Sequence, residues 1–538
     1  MQMNRTRLLF FLIVGLAVLL VGGGLLLNTI TGRPVNSLNP TDTPRPDVQK
    51  TVQPQNIKSP NPLWGPNYKA GDGKPTYICG TDAFASYLTL SLIQQTGKDV
   101  ANGFNLGIVP LQLTNKPEYA LSAEQADTFI EQGQWDCLLD TADSASVTGY
   151  GVVTAIVDES AGGDGMYAKG IATLNDLKGK RIAYVSDSSA EYFVHYVLSI
   201  AQLNAKFDVK MLPYDTPDAA VKAFNEGKAD VVSAWEPQLS KARQSGGAPL
   251  ITTSQLRLIV DTVATSKKAI TDKPNVVQMF HNAWFDALKY LAENPDAAGD
   301  AIVKWGYNDW TTIRTAQDLK DQLKNIAQAD LGANAVVMRD PTPLLNRMTI
   351  ARRVWATAGT QASPDRVEDL IDPRFVLAAA QNSKLQPAAR PINDTFSIGA
   401  KIDLSGISTN AGDASTLAVL PCRRFAFLPE SATLTLESRR VLDDCVVPTL
   451  QQSVGLLLKV KGSSAWPGPK GTYTEAQILE LAKARAQSVV DYLVSQKVDR
   501  ARFIVEATLP VEAHRETENA DIQAEDRYVE MTLVTSGR

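Results

Sequence analysis

Between residues 75 and 385, short apolar runs alternate with helical patterns of apolar residues. "TYICG", "WDCLLDTAD" and "GYGVVTAIVDES" have the composition of strands, whereas "AFASYLTLSLIQQTG" has the pattern of a helix that ends at Gly97. Strands that alternate with helices are typical of α/β folds with parallel sheets. In such sheets, ligands bind at the carboxyl ends of strands, where loops meet helix N-termini. The sequence therefore predicts an α/β domain with a ligand site in the loops after its strands.

The composition of the chain is that of globular domains, and it excludes several functions. The length of 538 residues suggests two to four domains. The net charge is −5 and no basic stripe is present, so nucleic acid is not an expected partner. The histidines are far apart, and the sequence contains no GxSxG elbow, P-loop or Cys/His cluster with metal-ligand spacing. We therefore expect no enzyme activity, no metal and no other cofactor.

Two features that superficially suggest chemistry have structural interpretations. "AGGDG" (residues 161–165) is rich in glycine but lacks the Lys-Ser/Thr that follows a phosphate-binding loop, so a surface loop between strands is predicted. His195 lies beside the apolar stripe of a predicted helix, which favours a structural role.

The N-terminal part of the chain predicts a membrane anchor. Residues 8–27 carry no charge and, as a helix, span about 30 Å, the thickness of a bilayer core. Arg5 and Arg7 precede this segment, which places the N-terminus in the cytoplasm and the bulk of the chain in the periplasm or outside the cell. A cleaved signal peptide is the alternative, and it also exports the chain. We expect residues 1–33 to be a cytoplasmic tip and transmembrane helix, and residues 34–74 a Pro-rich tether.

The four cysteines fall into two separated pairs, Cys79 with Cys137 and Cys422 with Cys445, and none lies in a CxxC motif. This number and distribution suit two disulfides in an exported protein. Four buried free thiols are the alternative, and the sequence leaves the connectivity open.

The middle of the chain resembles a known family. "DLKGKRIAYVSDSSAEYFVHYVL", followed by "DAAVKAFNEGKADVVSAWEPQLSKA", is similar to periplasmic solute-binding proteins of the nitrate/sulfonate/taurine type. The motifs that carry the resemblance are a DLKGK turn, a Ser-rich loop and a strand that ends in Trp-x-Pro. The resemblance covers residues 75–385 and implies two α/β lobes that close on a small solute, with lobe two at about residues 155–260. It also implies an ABC permease as a partner.

The candidate ligand-binding residues follow four predicted strands. They are Thr81, Asp82, Thr141, Asp143, Ser144, Ser186, Asp187, Ser188, Ser189, Trp235 and Glu236. Each also has a structural interpretation: Ser188 and Glu191 have the spacing of a capping box, Trp235 suits core packing, and Asp82 suits a helix cap. The charged members are all acidic, whereas a sulfonate or nitrate site normally presents cationic or neutral donors. This pattern favours a cationic or zwitterionic solute, to which Trp235 adds a cation–π contact.

The pattern restarts after a polar connector at residues 386–415. Residues 416–538 predict a small α+β domain with a long helix, "TEAQILELAKARAQSVVDYLVSQ". Thr474 and Gln477 have the spacing of a capping box, and Ile478, Ala482, Ala486, Val489 and Leu493 form one apolar stripe. Arg485 lies at the edge of this stripe, so we expect its guanidinium to reach outward.

This domain resembles the OmpA-like peptidoglycan-binding domain. The matching residues are "RAQSVVDYL" from Arg485, "RYVE" from Arg527, and Phe427 with the Ser-Ala pair that follows it. In the family, a helical Arg and an Asp hold the cell-wall peptide. The Arg corresponds to Arg485, whereas "GSSA" at residues 462–465 has no Asp at the other position. The resemblance implies peptidoglycan binding through Arg485, and a spacer or protein-docking module is the alternative.

These observations predict a membrane-anchored, extracytoplasmic solute-binding protein of the ABC-transporter type, with an OmpA-like domain for cell-wall or protein docking. The alternative is a structural tether between membrane and peptidoglycan without a working solute site.

Overall fold

The computed structural model describes residues 57–113, 116–305, 313–387, 398, 415–453 and 456–535. The predicted membrane anchor, residues 34–56 of the predicted tether and most of the predicted connector lie outside these residues. Within the described part of the chain, no helix is long and apolar enough to cross a membrane.

The described strands form two large sheets, one smaller sheet and a short ribbon. In chain order they are β1 (Thr76–Thr81), β2 (Asn105–Pro110), β3 (Cys137–Thr141), β4 (Gly151–Ser160), β5 (Asp164–Ala168), β6 (Arg181–Val185), β7 (Lys210–Tyr214), β8 (Val231–Trp235), β9 (Ala248–Thr252), β10 (Val260–Ser266), β11 (Ile326–Gln328), β12 (Ser415–Ala426), β13 (Leu457–Ser463), β14 (Trp466–Pro467), β15 (Phe503–Thr508), β16 (Arg515–Thr517) and β17 (Tyr528–Thr535).

The helices cover the faces of these sheets. The α-helices are Thr89–Thr96, Lys98–Asn102, Ala123–Glu131, Ala142–Thr148, Ser189–Ala201, Pro217–Asn225, Gln238–Gln244, Lys267–Asp272, Pro274–Glu293, Pro295–Lys304, Ala316–Leu323, Leu331–Arg339, Thr342–Ala358, Arg374–Ala379, Leu436–Val441, Val447–Gln452, Glu475–Ser495 and Ala520–Asp526. Short 3-10 turns lie at Ala85–Leu88, Pro117–Tyr119, Leu174–Leu177, Val367–Leu370, Ser383–Leu385, Arg500–Arg502 and Glu512–His514, and a π turn lies at Leu442–Val446.

The first two sheets define two lobes. Lobe one contains the sheet β11-β4-β10-β3-β1-β2, in which β1 is parallel to β2 and β3 while β10 is antiparallel to β3 and β4. Lobe two contains the sheet β7-β6-β8-β5-β9, in which β6 is parallel to β7 and β8. The chain leaves lobe one after Ser160 and returns at Val260, so two connections join the lobes. Every position of β4 and β10 is buried, because these strands run through the centre of lobe one.

The glycine-rich segment "AGGDG" was predicted as a surface loop, and this prediction is wrong. It forms one of the two connections between the lobes, and its fourth residue, Asp164, is the first residue of β5 and only 5% exposed. Gly163 is buried as well, and its carbonyl accepts a hydrogen bond from the backbone N–H of Glu236 (2.7 Å). The pattern resembles a loop because glycines break strand periodicity, but a Cβ atom on Gly165 would lie 2.8 Å from the carbonyl oxygen of Ile251 in the neighbouring strand β9.

The C-terminal domain is a sheet in the order β12-β17-β13-β15, covered by the helix Glu475–Ser495. Thr474 and Gln477 form the predicted capping box at the start of this helix. The helix lies unusually close to β13: a Cβ atom on Gly462 would meet the carbonyl oxygen of Ala482 at 1.9 Å. Glycine is therefore required at position 462 for the helix to pack on the sheet.

The C-terminal domain packs directly on lobe two. The helix Ser189–Ala201 lies against β12, and the backbone N–H of Val419 donates to Asn175 Oδ1 (3.1 Å). Leu417 of β12 and Tyr196 of the helix belong to one buried apolar cluster. The helix that begins at the candidate Ser188–Ser189 loop therefore packs directly against the C-terminal domain.

The structure pairs Cys79 with Cys137 and Cys422 with Cys445. The first disulfide joins the neighbouring strands β1 and β3 just before the loops that carry the candidate site residues. The second joins β12 to the π turn of the C-terminal domain.

Candidate functional site

The candidate residues of lobe one lie where β1 and β3 end. Thr81 is 1% exposed, and its hydroxyl donates to the carbonyl of Asp82 (3.1 Å). The carboxylate of Asp82 accepts from the backbone N–H of Phe84 (2.8 Å), a local turn that fixes its direction. Thr141 is 9% exposed at the end of β3. These two strand ends lie side by side because β1 and β3 are parallel neighbours.

The segment after β3 is organised by Asp140, a residue that the sequence did not single out. Its carboxylate accepts hydrogen bonds from the backbone N–H of Thr141 (2.7 Å) and from the hydroxyl of Ser144 (2.6 Å). Asp143 is buried, and its carboxylate accepts from the indole N–H of Trp355 (3.1 Å). Ser144 therefore serves to orient Asp140, while Asp143 faces the helix Thr342–Ala358.

The candidate loop of lobe two is built around the first turn of the helix Ser189–Ala201. Ser188 is its N-cap and accepts from the backbone N–H of Ala190 (3.2 Å). The predicted reciprocal bond is wrong in detail, because Glu191 accepts from the N–H of Asp187 (2.7 Å) rather than from that of Ser188. The Ser189 hydroxyl donates to the carboxylate of Asp164 (3.4 Å), the first residue of β5 in the same lobe.

Ser186, Trp235 and Glu236 have different surroundings. The Ser186 hydroxyl donates to the carbonyl of Tyr214 within lobe two (3.3 Å). Trp235 is directly opposite Asp164 in the β5–β8 pairing, so it lies beside the carboxyl groups of the site. Glu236 turns to its own helix, where it accepts from the N–H of Ser240 (2.9 Å) and lies 3.6 Å from the Arg243 guanidinium. Glu236 thus has a capping role in the structure and is the candidate least directed toward the others.

Carboxyl groups from both lobes lie close together and repel one another. We call this set the carboxyl cluster: Asp82, Asp127, Asp140, Asp143, Asp158, Asp164 and Asp261. The charge of Asp187 in lobe two contributes to the raised pKa of Asp127 in lobe one, and the charge of Asp143 in lobe one contributes to the raised pKa of Asp164 in lobe two. The cluster therefore spans the two lobes. The described ion pairs include no member of this cluster.

Burial raises the pKa values in this cluster. The pKa is raised to about 7 for Asp143 and Asp164, and to about 6 for Asp82 and Asp158. Desolvation of the carboxylate is the largest cause at each position, and repulsion from neighbouring carboxyls adds to it. The pKa of Asp261 is raised well above its ordinary value for the same reasons. The folded protein therefore holds protons on these side chains to a higher pH than the unfolded chain does, up to about pH 6 for Asp82 and Asp158 and about pH 7 for Asp143 and Asp164.

Several members of the cluster were missed from the sequence: Asp127, Asp140, Asp158, Asp164 and Asp261. A signal was present, since "IVD" occurs twice, at residues 156–158 in a predicted strand and again at residues 259–261. An Asp inside a buried strand is expensive unless it is paired, so its presence there points to a function. Both aspartates lie inside strands (β4 and β10) and not in the loops after strands, where ligand-binding residues are expected.

The histidines of the two lobes lie in the core. His195 is 8% exposed and 3.7 Å from Glu191 one turn earlier in its helix. His281 is fully buried, and its ring bonds the carbonyl of Val277 (2.8 Å) and the hydroxyl of Thr154 (3.0 Å). Burial lowers the pKa of His281 to about 4, which keeps it neutral. In the described residues, no group of three or more metal-ligating side chains comes together.

Arg485 does not reach outward, and this expectation is wrong. It is fully buried, and its guanidinium donates to the backbone carbonyls of Ser431 (2.9 Å), Ser463 (3.0 Å) and Leu428 (3.1 Å). Burial, with a smaller effect from Arg527, lowers its pKa to about 10, so the group remains charged at neutral pH. The side chain joins the segment after β12 to the end of β13, because it curls back from the helix into the domain rather than away from it.

The two lobes together form a two-lobed α/β fold, with the carboxyl cluster where they meet. Residues 101–298 match the family model described as NMT1/THI5 like. This match includes all of lobe two and both connections between the lobes. No curated protein matches the chain in sequence.

Solved structures similar to the chain include both binding proteins and an enzyme. The periplasmic nitrate-binding protein NrtA from Synechocystis PCC 6803 is 13% identical, with 58% of this chain and 90% of that chain covered and a TM-score of 0.44. The alkanesulfonate-binding protein SsuA from Xanthomonas axonopodis pv. citri is 15% identical, with 56% and 99% covered and a TM-score of 0.42. The desulfurization enzyme DSZB is 16% identical, with 57% and 99% covered and a TM-score of 0.38.

Proposed function

We propose that the two lobes capture a small cationic or zwitterionic organic solute outside the cytoplasm and deliver it to an ABC permease. The observation that carries this proposal is the carboxyl cluster, which is buried between the lobes without an ion-pair partner among the described residues. A buried carboxylate is stabilised when an opposite charge arrives, so a cationic group would lower the raised pKa values of its neighbours. The match of residues 101–298 to the NMT1/THI5 like model and the paired cysteines support the binding fold and the location.

Thermal unfolding with a compound panel tests solute capture. The panel contains primary amines, diamines, amino acids, nitrate, taurine and ethanesulfonate. A ligand present at about 100 times its Kd stabilises the folded state by about 2.7 kcal/mol, which raises the Tm by several degrees. We expect at least one amine-containing compound to raise the Tm and the oxyanions to leave it unchanged. No shift with any compound would overturn solute capture and favour the structural tether between membrane and cell wall.

The C-terminal domain is proposed to be an OmpA-like docking module of the cell envelope. Its sheet order, its long helix on one face and the residues at Phe427, Arg485 and Arg527 support this assignment. Residues 8–27 are proposed to anchor the chain in the membrane, with the N-terminus in the cytoplasm. Because Arg485 already binds three carbonyls, peptidoglycan binding through it requires the Leu428–Ser431 segment to open.

Sedimentation with purified peptidoglycan tests docking to the cell wall. The wild type is compared with Arg485→Lys, which keeps the charge but loses the fork of donors. If Arg485 contacts the cell-wall peptide, the variant sediments less at a temperature where its melt shows that it is still folded, although loss of the fork lowers its Tm. Sedimentation that is equal for both proteins would remove Arg485 from the binding surface, and no sedimentation of either would favour docking to another protein.

A further inference from the structure

Four polar residues lie in one row across the sheet of lobe one. Gln328 is opposite Asp158, Asp158 is opposite Asp261, and Asp261 is opposite Thr141 in the strand pairings β11–β4, β4–β10 and β10–β3. Directly opposed residues of antiparallel strands place their side chains on the same face. The row, which we call the polar row, therefore extends from the predicted site residue Thr141 along one face of the sheet.

The side chains of the polar row are buried, but only some of their polar atoms accept or donate a hydrogen bond. Ser86 donates to Oδ2 of Asp158, and Tyr87 donates to Oδ1 of Asp261. The other carboxyl oxygens, Oδ1 of Asp158 and Oδ2 of Asp261, have no donor within the described residues other than a proton shared between the two carboxyls, and Nε2 of Gln328 has no partner there. Asp158 is fully buried, Asp261 is 3% exposed and Gln328 is 4% exposed. Buried polar atoms are almost always hydrogen-bonded, so unsatisfied atoms in one row need an explanation.

A bound ligand explains these atoms better than a structural role does. A purely structural row would be more stable with apolar side chains, since desolvation of two carboxyls is costly. A metal ion fits poorly, because Ca²⁺ and Mg²⁺ take six or more oxygen ligands and the described residues bring no third metal-ligating side chain to the pair. Two acceptors on adjacent strands suit N–H donors that carry positive charge.

The geometry points to the polar row as the subsite that receives the cationic N–H donor group of the solute, an assignment that rests on the solute capture proposed above. Asp158 and Asp261 accept the N–H groups, and Gln328 donates to an acceptor atom beside them. The ligand class is a small organic cation with an ammonium or amidinium group.

Binding of such a group displaces a proton. The groups that face the pair are Asp164 from β5, Glu159 from β4 and Tyr87 from the turn before the helix Thr89–Thr96. Glu159 is itself held by Arg347 (2.8 Å) and by Arg257 (3.9 Å), so its charge is balanced locally. The proton held between Asp158 and Asp261 at neutral pH leaves to buffer when the cation enters, because a cation favours the charged form of both carboxyls.

The test combines three variants with the compound panel. Asp158→Asn and Asp261→Asn keep shape and remove charge, and Asp296→Asn, whose side chain is 78% exposed, is the matched control. We expect either cleft variant to weaken binding of the amine found with the wild type by roughly tenfold or more, and the control to bind like the wild type. The binding enthalpy of the wild type, measured by calorimetry at one pH in phosphate and in Tris, should differ between the two buffers. The difference should equal the heat of transferring about one proton to each buffer.

The outcomes separate this subsite from solute capture itself. Amine binding that is unchanged in both cleft variants would overturn the subsite and leave solute capture in place. A shift of the wild type with nitrate or ethanesulfonate alone, or with MgCl₂ or CaCl₂ alone, would overturn the organic cation as the occupant. No shift with any compound would overturn solute capture and the subsite together. The Tm of each variant without ligand shows whether it is folded, so lost binding is not mistaken for lost structure.

Discussion

Two regions of this molecule bury charge in opposite ways. In the C-terminal domain, Arg485 and Arg502 are buried, and each guanidinium is surrounded by three backbone carbonyls. Between the lobes, Asp158 and Asp261 are equally buried, yet one carboxyl oxygen of each has no donor in the described structure other than a proton shared between the two carboxyls. A buried charge whose hydrogen bonds are all made to the backbone stabilises the fold. A buried charge with unused hydrogen-bonding capacity is able to bind a ligand.

The comparison assigns different consequences to removing each charge. An arginine that joins three carbonyls leaves three unsatisfied acceptors when it is replaced. When a carboxyl of the cluster is neutralised, the charge repulsion among the neighbouring carboxyls decreases. The first change should therefore destabilise the protein, and the second should stabilise it in the absence of ligand.

The largest expected effect is the loss of Arg485. Arg485→Met keeps the apolar stem and removes the donors to Leu428, Ser431 and Ser463. We expect the free energy of unfolding of the C-terminal domain to fall by about 3 kcal/mol or more, measured by calorimetry of the purified protein. Arg440→Met, at an exposed position of the helix Leu436–Val441, is the control and should change it by less than about 0.5 kcal/mol. Equal effects at the two positions would contradict the structural role of Arg485.

A second prediction concerns the contact of helix and sheet in the same domain. Gly462→Ala forces a methyl group against the carbonyl oxygen of Ala482, so we expect a loss of about 2–3 kcal/mol in calorimetry. Gly471→Ala tests backbone strain alone, because Gly471 has φ of +82° and open space around it. That variant should lose about 1 kcal/mol. A smaller loss of stability in Gly462→Ala than in Gly471→Ala would contradict the close packing of the helix on β13.

The third prediction is a gain in stability and not a loss. Asp158→Asn removes charge repulsion from the carboxyl cluster while it keeps the hydrogen bond from Ser86. Without ligand, we expect the free energy of unfolding to rise by about 1–2 kcal/mol, with a Tm increase of a few degrees. The measurement is a thermal melt at pH 7.5 beside the exposed control Asp296→Asn. A melt that falls below the wild type would mean that Asp158 stabilises the fold.

The smallest expected effect is a dependence on pH. The pKa values of Asp82, Asp143, Asp158 and Asp164 are raised from 3.8 to between about 6 and about 7, so the folded state holds more protons than the unfolded state. Their contribution is complete below about pH 4 and is lost as the pH rises through 6 to 7. We expect the Tm without ligand to fall between pH 5 and pH 7.5, and to fall less in Asp158→Asn. A Tm that rises over this range in both proteins would contradict the raised pKa values.

Much of the fold follows from local patterns in the sequence. Gly97 ends its helix in the left-handed conformation, and Thr474 and Gln477 cap theirs, because these contacts depend only on near neighbours in the chain. The strands "GYGVVTAIVDES" and "TYICG" appear as β4 and β1 for the same reason. Periodicity and capping are local properties, and they determine which segments become helices and strands.

The site was harder to predict because it depends on strand register. Thr141, Asp158, Asp261 and Gln328 are distant in sequence, and only the pairing of four strands puts them in one row. Arg485 was misplaced for a related reason: its position on the helix was correct, but the carbonyls that draw its guanidinium inward belong to β13 and to the segment after β12. Neither partner can be identified before the sheet is assembled.

Native mass spectrometry of the purified protein tests the central claim most directly. The protein is released gently from its expression host, and any small molecule that stays bound is identified by its mass and fragmentation. We predict a compound that carries an ammonium or amidinium group in the wild type and its loss in Asp158→Asn and Asp261→Asn. A bound sulfonate or nitrate, or an amine retained equally by both variants, would contradict the account.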